Sequence, residues 1–220
     1  MENQYTLQLL NNEEQRVLGA LIEKSRTTPD YYPMTLSALT TACNQKTSRN
    51  PIVNYDEETV TLTLNALKIK GIISTATGGS SRATKYKHNL GIIYPLLPSE
   101  LSVLALLLLR GPLTPGEINS NVSRLYEFDT IEEIQILLNK LSAEEPAYVQ
   151  VLAKRPGQKE VRYKHLFNIN TDDAELAEPE DTTPQNAAVL TASADLENRV
   201  SQLEQELIDI KEMLNLLMNQ

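Results

Sequence analysis

The 220-residue chain has no tryptophan, two phenylalanines, two histidines and a single cysteine, Cys43. One thiol makes no internal disulfide, and Cys43 with only His88 and His165 is thin material for a metal centre or a nucleophile relay. The opening Met1-Glu2-Asn3-Gln4 lacks the basic segment and apolar stretch of a secretory signal. The most apolar run, Leu101 to Leu109 interrupted by Ser102, falls far short of the roughly 20 residues a bilayer helix needs and reads as a buried helix. These absences point to a cytoplasmic, non-enzymatic chain with no cofactor, no small-molecule ligand and no membrane partner. Positive charge is also scarce: 20 Lys+Arg against 29 Asp+Glu give a net charge of −9, which taken whole argues against nucleic acid.

What charge there is, however, is segregated. Residues 1–167 hold 18 bases and 17 acids, whereas residues 168–220 hold 2 bases and 12 acids. The acidity belongs to the tail, and the larger part is nearly neutral.

That larger part is one pattern written twice. Val17, Leu18, Leu21 and Ile22 form a helical stripe in Glu14–Ile22, and Glu100–Leu108 repeats its Glu, Val and Leu spacing. Asn12 with Gln15 resembles an N-terminal capping pair, and Ser99 after Pro98 starts the second copy. A second helix follows Thr35-Leu36-Ser37-Ala38 in one copy and the capping box Thr114-Pro115-Gly116-Glu117 in the other. Val60, Leu64 and Leu67 place a third helix face inward, as do Ile134, Leu138 and Leu141. Each copy then reads as a β-hairpin, residues 72–88 around a Gly78-Gly79-Ser80-Ser81 tip and residues 148–165 around Pro156-Gly157. Lys85-Tyr86-Lys87-His88 and Arg162-Tyr163-Lys164-His165 put both histidines at equivalent points. Three helices and a hairpin are the order of a winged helix. The expectation is an α+β fold, mainly α, of two tandem winged-helix domains, residues 1–92 and 93–167.

Residues 168–190 contain six acids, two prolines and no base, the composition of a disordered linker. Beyond it, Leu196, Val200, Leu203, Leu207, Ile210, Leu214 and Leu217 alternate spacings of four and three, a coiled-coil heptad over residues 191–220. In a parallel homodimer Arg199 faces Glu204 and Glu206 faces Lys211. Packing of this helix on its own chain is the alternative.

Three segments carry a family resemblance: Ala42-Cys43-Asn44-Gln45-Lys46-Thr47-Ser48-Arg49-Asn50-Pro51, Thr114-Pro115-Gly116-Glu117, and Pro156 to Leu166. Through them the chain closely resembles the YceH-type bacterial proteins over roughly residues 9–220. The resemblance implies paired winged helices and a cytoplasmic address, and it carries over no catalytic or binding residue.

The leading expectation is a DNA-binding, transcription-regulator-like homodimer, and the alternative is a winged-helix interaction or scaffold module that binds no nucleic acid. Lys46, Arg49, Lys68, Arg82, Lys85 and Lys87 in the first copy, and Lys154, Arg155, Lys159, Arg162 and Lys164 in the second, are candidates for neutralising the phosphates of double-stranded DNA. Arg49 serves equally as a lock on its own loop. Against base reading, the outward faces of the third helices offer Leu62 and Ile69 in one copy and Ile136 in the other, side chains suited to a protein contact. Acids at the helix starts, Asp56-Glu57-Glu58 and Glu132-Glu133, repel phosphates. Tyr86 and Tyr163 are expected to pack between hairpin and helices, with the histidines as structural groups at strand ends.

Overall fold

The computed structural model describes residues 6–76, 83–154 and 157–168. The heptad residues, nearly all of the linker, Arg82, Arg155 and the hairpin-tip residues 78–81 and Pro156 lie outside the described residues. About half of the described residues are helical, with small antiparallel sheets, so the fold is mixed α+β.

In chain order, the first copy comprises α1 (Asn12–Thr27), the short β1 (Met34–Thr35), α2 (Leu36–Cys43), α3 (Glu57–Ile69), β2 (Ile73–Ala76) and β3 (Lys85–His88). A single helical turn, α4 (Leu90–Ile93), leads into α5 (Pro98–Arg110), α6 (Pro115–Val122), α7 (Ile131–Ala143), β4 (Val149–Leu152) and β5 (Arg162–His165).

Helix starts follow local side-chain chemistry. Asn11, in extended backbone, accepts the Glu14 amide at 2.8 Å while Glu14 accepts the Asn11 amide at 2.9 Å. The cap therefore sits one residue earlier than the Asn12–Gln15 pair expected from sequence. Gln15 instead donates to the Leu10 carbonyl at 2.9 Å and to Asn168 at 3.1 Å. Ser99 likewise does not start α5: Pro98 occupies the first helical position and Glu100 reaches back to the Leu97 amide at 2.7 Å. The Thr114–Glu117 capping box forms as its spacing predicts, at 3.2 and 2.8 Å.

Val60, Leu64, Leu67, Ile134, Leu138 and Leu141 are all buried, as the four-then-three spacing requires. Both hairpins are antiparallel, with Thr75 opposite Tyr86 and Val151 opposite Tyr163. A further strand lengthens the first sheet, since β1 pairs with β3 through Met34 and Tyr86. The second copy keeps this device as one bridge, Leu113 and Tyr163 exchanging hydrogen bonds of 3.1 and 2.9 Å.

The first helices of the two copies pack on each other. A Cβ on Gly19 of α1 would lie 2.8 Å from Leu109 Cγ and 3.1 Å from Leu108 Cβ of α5, so only glycine permits this approach. One apolar cluster runs through both copies, and residues 1–171 form one compact unit. Its far side is closed by the edge contacts of Tyr94 with Tyr148 and Phe167, at ring separations of 5.6 and 5.9 Å. The Leu10 amide donates to the Phe167 carbonyl at 2.7 Å, tying the segment before α1 to the residues that follow β5.

Candidate nucleic-acid interface

Helices buried on every side must also bury whatever charges they carry, and each of these then needs a partner. The Glu14 carboxylate at the start of α1 meets Lys70 Nζ at 2.6 Å, and Glu100 at the start of α5 meets Lys140 Nζ at the same distance. Each pair clips the end of a third helix to the beginning of a first helix. Deeper in α1, Arg16 donates to the carbonyls of Cys43, the last residue of α2, and Pro51, midway along the loop between α2 and α3. The Asn44 side chain exchanges hydrogen bonds of 2.7 and 2.8 Å with the Tyr55 backbone, closing the same loop.

Arg49 is the centre of that loop, and its side chain is fully buried. Nη1 and Nη2 grip the Glu23 carboxylate at 3.1 and 2.6 Å, and the remaining donors reach the carbonyls of Ala42 and Ser48 and the Gln45 side chain. Although burial alone would raise the Glu23 pKa, its hydrogen bonds and charge attraction to Arg49 hold it below the usual carboxylate value. Arg49 is therefore a loop lock, which corrects its candidacy for phosphate contact: no donor is left over and the group does not reach solvent. The neighbouring Cys43 thiol is pushed up to about 12 by burial, so it stays protonated and unreactive.

The other expected bases divide. Alternation along β3 sets Lys85 and Lys87 on one face and Tyr86 and His88 on the other, and β5 does the same with Arg162 and Lys164 against Tyr163 and His165. Arg162 is not an open cation: Nη2 pairs with Glu117 at 3.0 Å and Nη1 donates to the Pro112 carbonyl at 3.0 Å, stitching the second hairpin to the start of α6. In the first copy Ala38 stands where Glu117 stands relative to the cap, so Lys85 has no equivalent carboxylate. Lys46, Lys68, Lys87, Lys154 and Lys159 are exposed, and Lys154 donates to the Lys159 carbonyl at 2.9 Å. Arg82 and Arg155 lie outside the described residues.

On the inner hairpin faces, Tyr163 is buried and its hydroxyl accepts from Gln135 of α7, the packing role expected of it. His88 Nε2 lies 3.3 Å from Ser25 Oγ, and its amide donates to the Tyr32 hydroxyl at 2.7 Å. The Nδ1 atoms of His88 and His165 are both buried without a hydrogen-bond partner. Burial pushes both rings down to about 4, helped at His165 by the charge of Lys164.

The third helices present the apolar faces their sequence predicts: Leu62 and Ile69 are 64% and 88% exposed on α3, and Ile136 is 69% exposed on α7. Beside the start of α7, Ile131, Glu132, Gln135, Lys154, Lys159 and Glu160 line an open groove of about 430 Å³. Its two lysines are matched by two glutamates, so it concentrates no single sign of charge.

Among the described residues no group of three or more His, Cys, Asp or Glu is placed to hold a metal ion, and no helix is long and apolar enough to cross a membrane. The class is an α+β protein that repeats three helices and a hairpin around one core, with lysines on its hairpins and apolar side chains on its outer helix faces. Residues 10–158 match the family model described as a protein of unknown function, DUF480. A UPF0502 protein of Shewanella pealeana is 42% identical over 96% of this chain and 99% of its own length. UPF0502 proteins of Geotalea daltonii and Aliivibrio fischeri are 44% and 38% identical, covering 90% and 97% of this chain and 88% and 100% of their own. The chain belongs to this DUF480/UPF0502 family of uncharacterised bacterial proteins, as the motif resemblance implied.

Two outcomes follow from the buried groups. Arg49→Gln strands the Glu23 carboxylate and should cost about 3 kcal/mol in denaturant unfolding, with Arg49→Lys recovering little because an ammonium cannot grip both oxygens. A loss within about 0.5 kcal/mol of zero would refute the lock. The histidines, depressed in the fold but free to protonate near 6.5 when unfolded, lend stability that is complete above pH 6.5 and drains as pH falls toward about 4. The melting temperature should drop across that window, and the drop should flatten in the His88→Gln, His165→Gln double variant.

Proposed function

We propose that the chain is a non-enzymatic tandem winged-helix protein that works as a protein-interaction module, joined to a second copy by its C-terminal heptad helix. In this reading α1, α2, α3 and the first hairpin make one winged helix, and α5, α6, α7 and the second hairpin make the other. The observation that carries it is the outward face of the third helices. Where a base-reading helix offers Arg, Lys, Asn or Gln, α3 offers Leu62 and Ile69 and α7 offers Ile136, all exposed. Asp56, Glu57 and Glu58 at the start of α3, and Glu132 and Glu133 at the start of α7, add negative charge where a phosphate would approach.

A second reading, contact with duplex DNA, is favoured by the lysines of the first hairpin. Lys85 and Lys87 share the outer face of β3, and Lys46 and Lys68 are exposed elsewhere in the same copy. Such a set serves phosphate contact without base selection.

The two readings separate in one pair of assays. Leu62→Asp with Ile69→Asp should abolish recovery of a bound protein in a pull-down with the full chain, while a gel shift at low salt should show no retained duplex. Retention that weakens with salt, with a slope reduced by Lys85→Gln and Lys87→Gln, would reverse the order of the readings. For the homodimer, light scattering of the full chain should give twice the chain mass, and removal of residues 191–220 should halve it. An unchanged mass on truncation would count against the heptad as the dimer seam.

A further inference from the structure

The two third helices are equivalent in fold, yet their outward faces differ. Along α3, Glu58, Leu62, Asn65 and Ile69 recur at spacings of four, three and four, which places them on one side of the helix, and all four are exposed. Leu62 and Ile69 supply the apolar surface. Beside them the Thr61 hydroxyl donates to the Glu57 carbonyl at 2.7 Å, so it asks for no partner outside the helix. The ends of the stripe are opposite in charge, with exposed Asp56, Glu57 and Glu58 at the start and exposed Lys68 in the last turn. The register that aligns the buried trios sets Glu132, Ile136, Asn139 and Ala143 at the matching positions of α7, and Ser142 where α3 has Lys68. Lys140, where α3 has Ala66, is held by Glu100 at 2.6 Å and Glu144 at 3.4 Å. Of the two faces, α3 alone joins a pair of large apolar side chains to an acidic end and a basic end.

Such a face complements its own reverse. Turned antiparallel against a copy of itself, a stripe with this spacing sets its first position against the last and its second against the third. The apolar residues then meet the partner's stripe, the acidic end meets the basic end twice, and the helix dipoles oppose each other. We propose that α3 packs antiparallel on α3 of a second copy of this chain about a two-fold axis, with Leu62 opposite the partner's Asn65, Ile69 over the stem of the partner's Glu58, and Glu57 and Glu58 alongside the partner's Lys68. The pairing rests on the reading of this face as a protein contact and names the partner. It is a seam distinct from the heptad of residues 191–220, and it occupies the helix face that base reading would use.

Cross-linking of the full chain tests it. Cys43 is buried, so Asn65→Cys adds the one accessible thiol, close to its own mate across the axis. A short bismaleimide should link Asn65→Cys chains into dimers and leave Asn139→Cys, at the matching position of α7, unlinked. The heptad would tether both variants alike, so it cannot produce this difference. On the Asn65→Cys chain, Lys68→Glu should lose the link through repulsion of like charges, and so should Glu57→Lys with Glu58→Lys. An equimolar mixture of those two charge variants should recover it, since each then faces its opposite at both ends. Equal linking at positions 65 and 139, or a mixture that links no better than either variant alone, would overturn the self-pairing. If Asn65→Cys does not link while Leu62→Asp with Ile69→Asp still abolishes recovery of a different protein, the second copy is the wrong partner and the protein-contact reading survives. Failure of both the link and the recovery removes the two together.

Discussion

The close approach of α1 and α5 at Gly19 is the constraint from which the rest of the arrangement follows. Two helices whose backbones come this near leave no room for water between them, and each is then covered on its other sides by its own copy's helices and hairpin. Any charge on them is carried inside. Glu14, Arg16, Glu23 and Glu100 are all buried, and every one has a partner: Lys70, the loop carbonyls, Arg49 and Lys140. These pairs in turn fix the third helices and the α2–α3 loop. What this arrangement leaves outward is the hairpin faces with their lysines and the far sides of α3 and α7.

Legibility in the sequence tracked how local each feature is. The buried trios of α3 and α7 were readable because helical spacing alone determines a face, and the hairpins because glycine tips and alternating residues are local signals. The Tyr-Lys-His repeat was readable because it occurs twice in step. The α1 cap was misplaced by one residue since Asn11 and Asn12 are equally good caps by type, and only the backbone at Asn11 chooses between them. β1 is too short for any period, and it exists because β3 offers an edge to pair with. The fate of Arg49 depended on Glu23, 26 residues away, and Arg162 on Glu117, 45 residues away. Charged residues lying within the apolar face of α1, Arg16 and Glu23, were the signal that buried pairing lay ahead.

The same pairings redraw the functional surface. Arg49, fully enclosed, and Arg162, pinned to Glu117, drop out of the basic face that the hairpin and loop sequences implied, and the lysines that remain are spread over separate elements. Among the described hairpin residues a duplex partner would meet lysines, and it would meet third helices with acidic starts. A protein partner would meet Leu62 and Ile69 on one helix face, with acids at its start. This is why protein contact is the reading proposed first and duplex contact second.

All of this depends on the two copies behaving as one body around α1 and α5. Residue-resolved native-state hydrogen exchange under increasing denaturant tests that most directly. The slowest amides of α1, α3, α5 and α7 should converge on a single opening free energy equal to that of global unfolding. Exchange of α1 and α3 at denaturant concentrations that leave α5 and α7 protected would contradict the shared core.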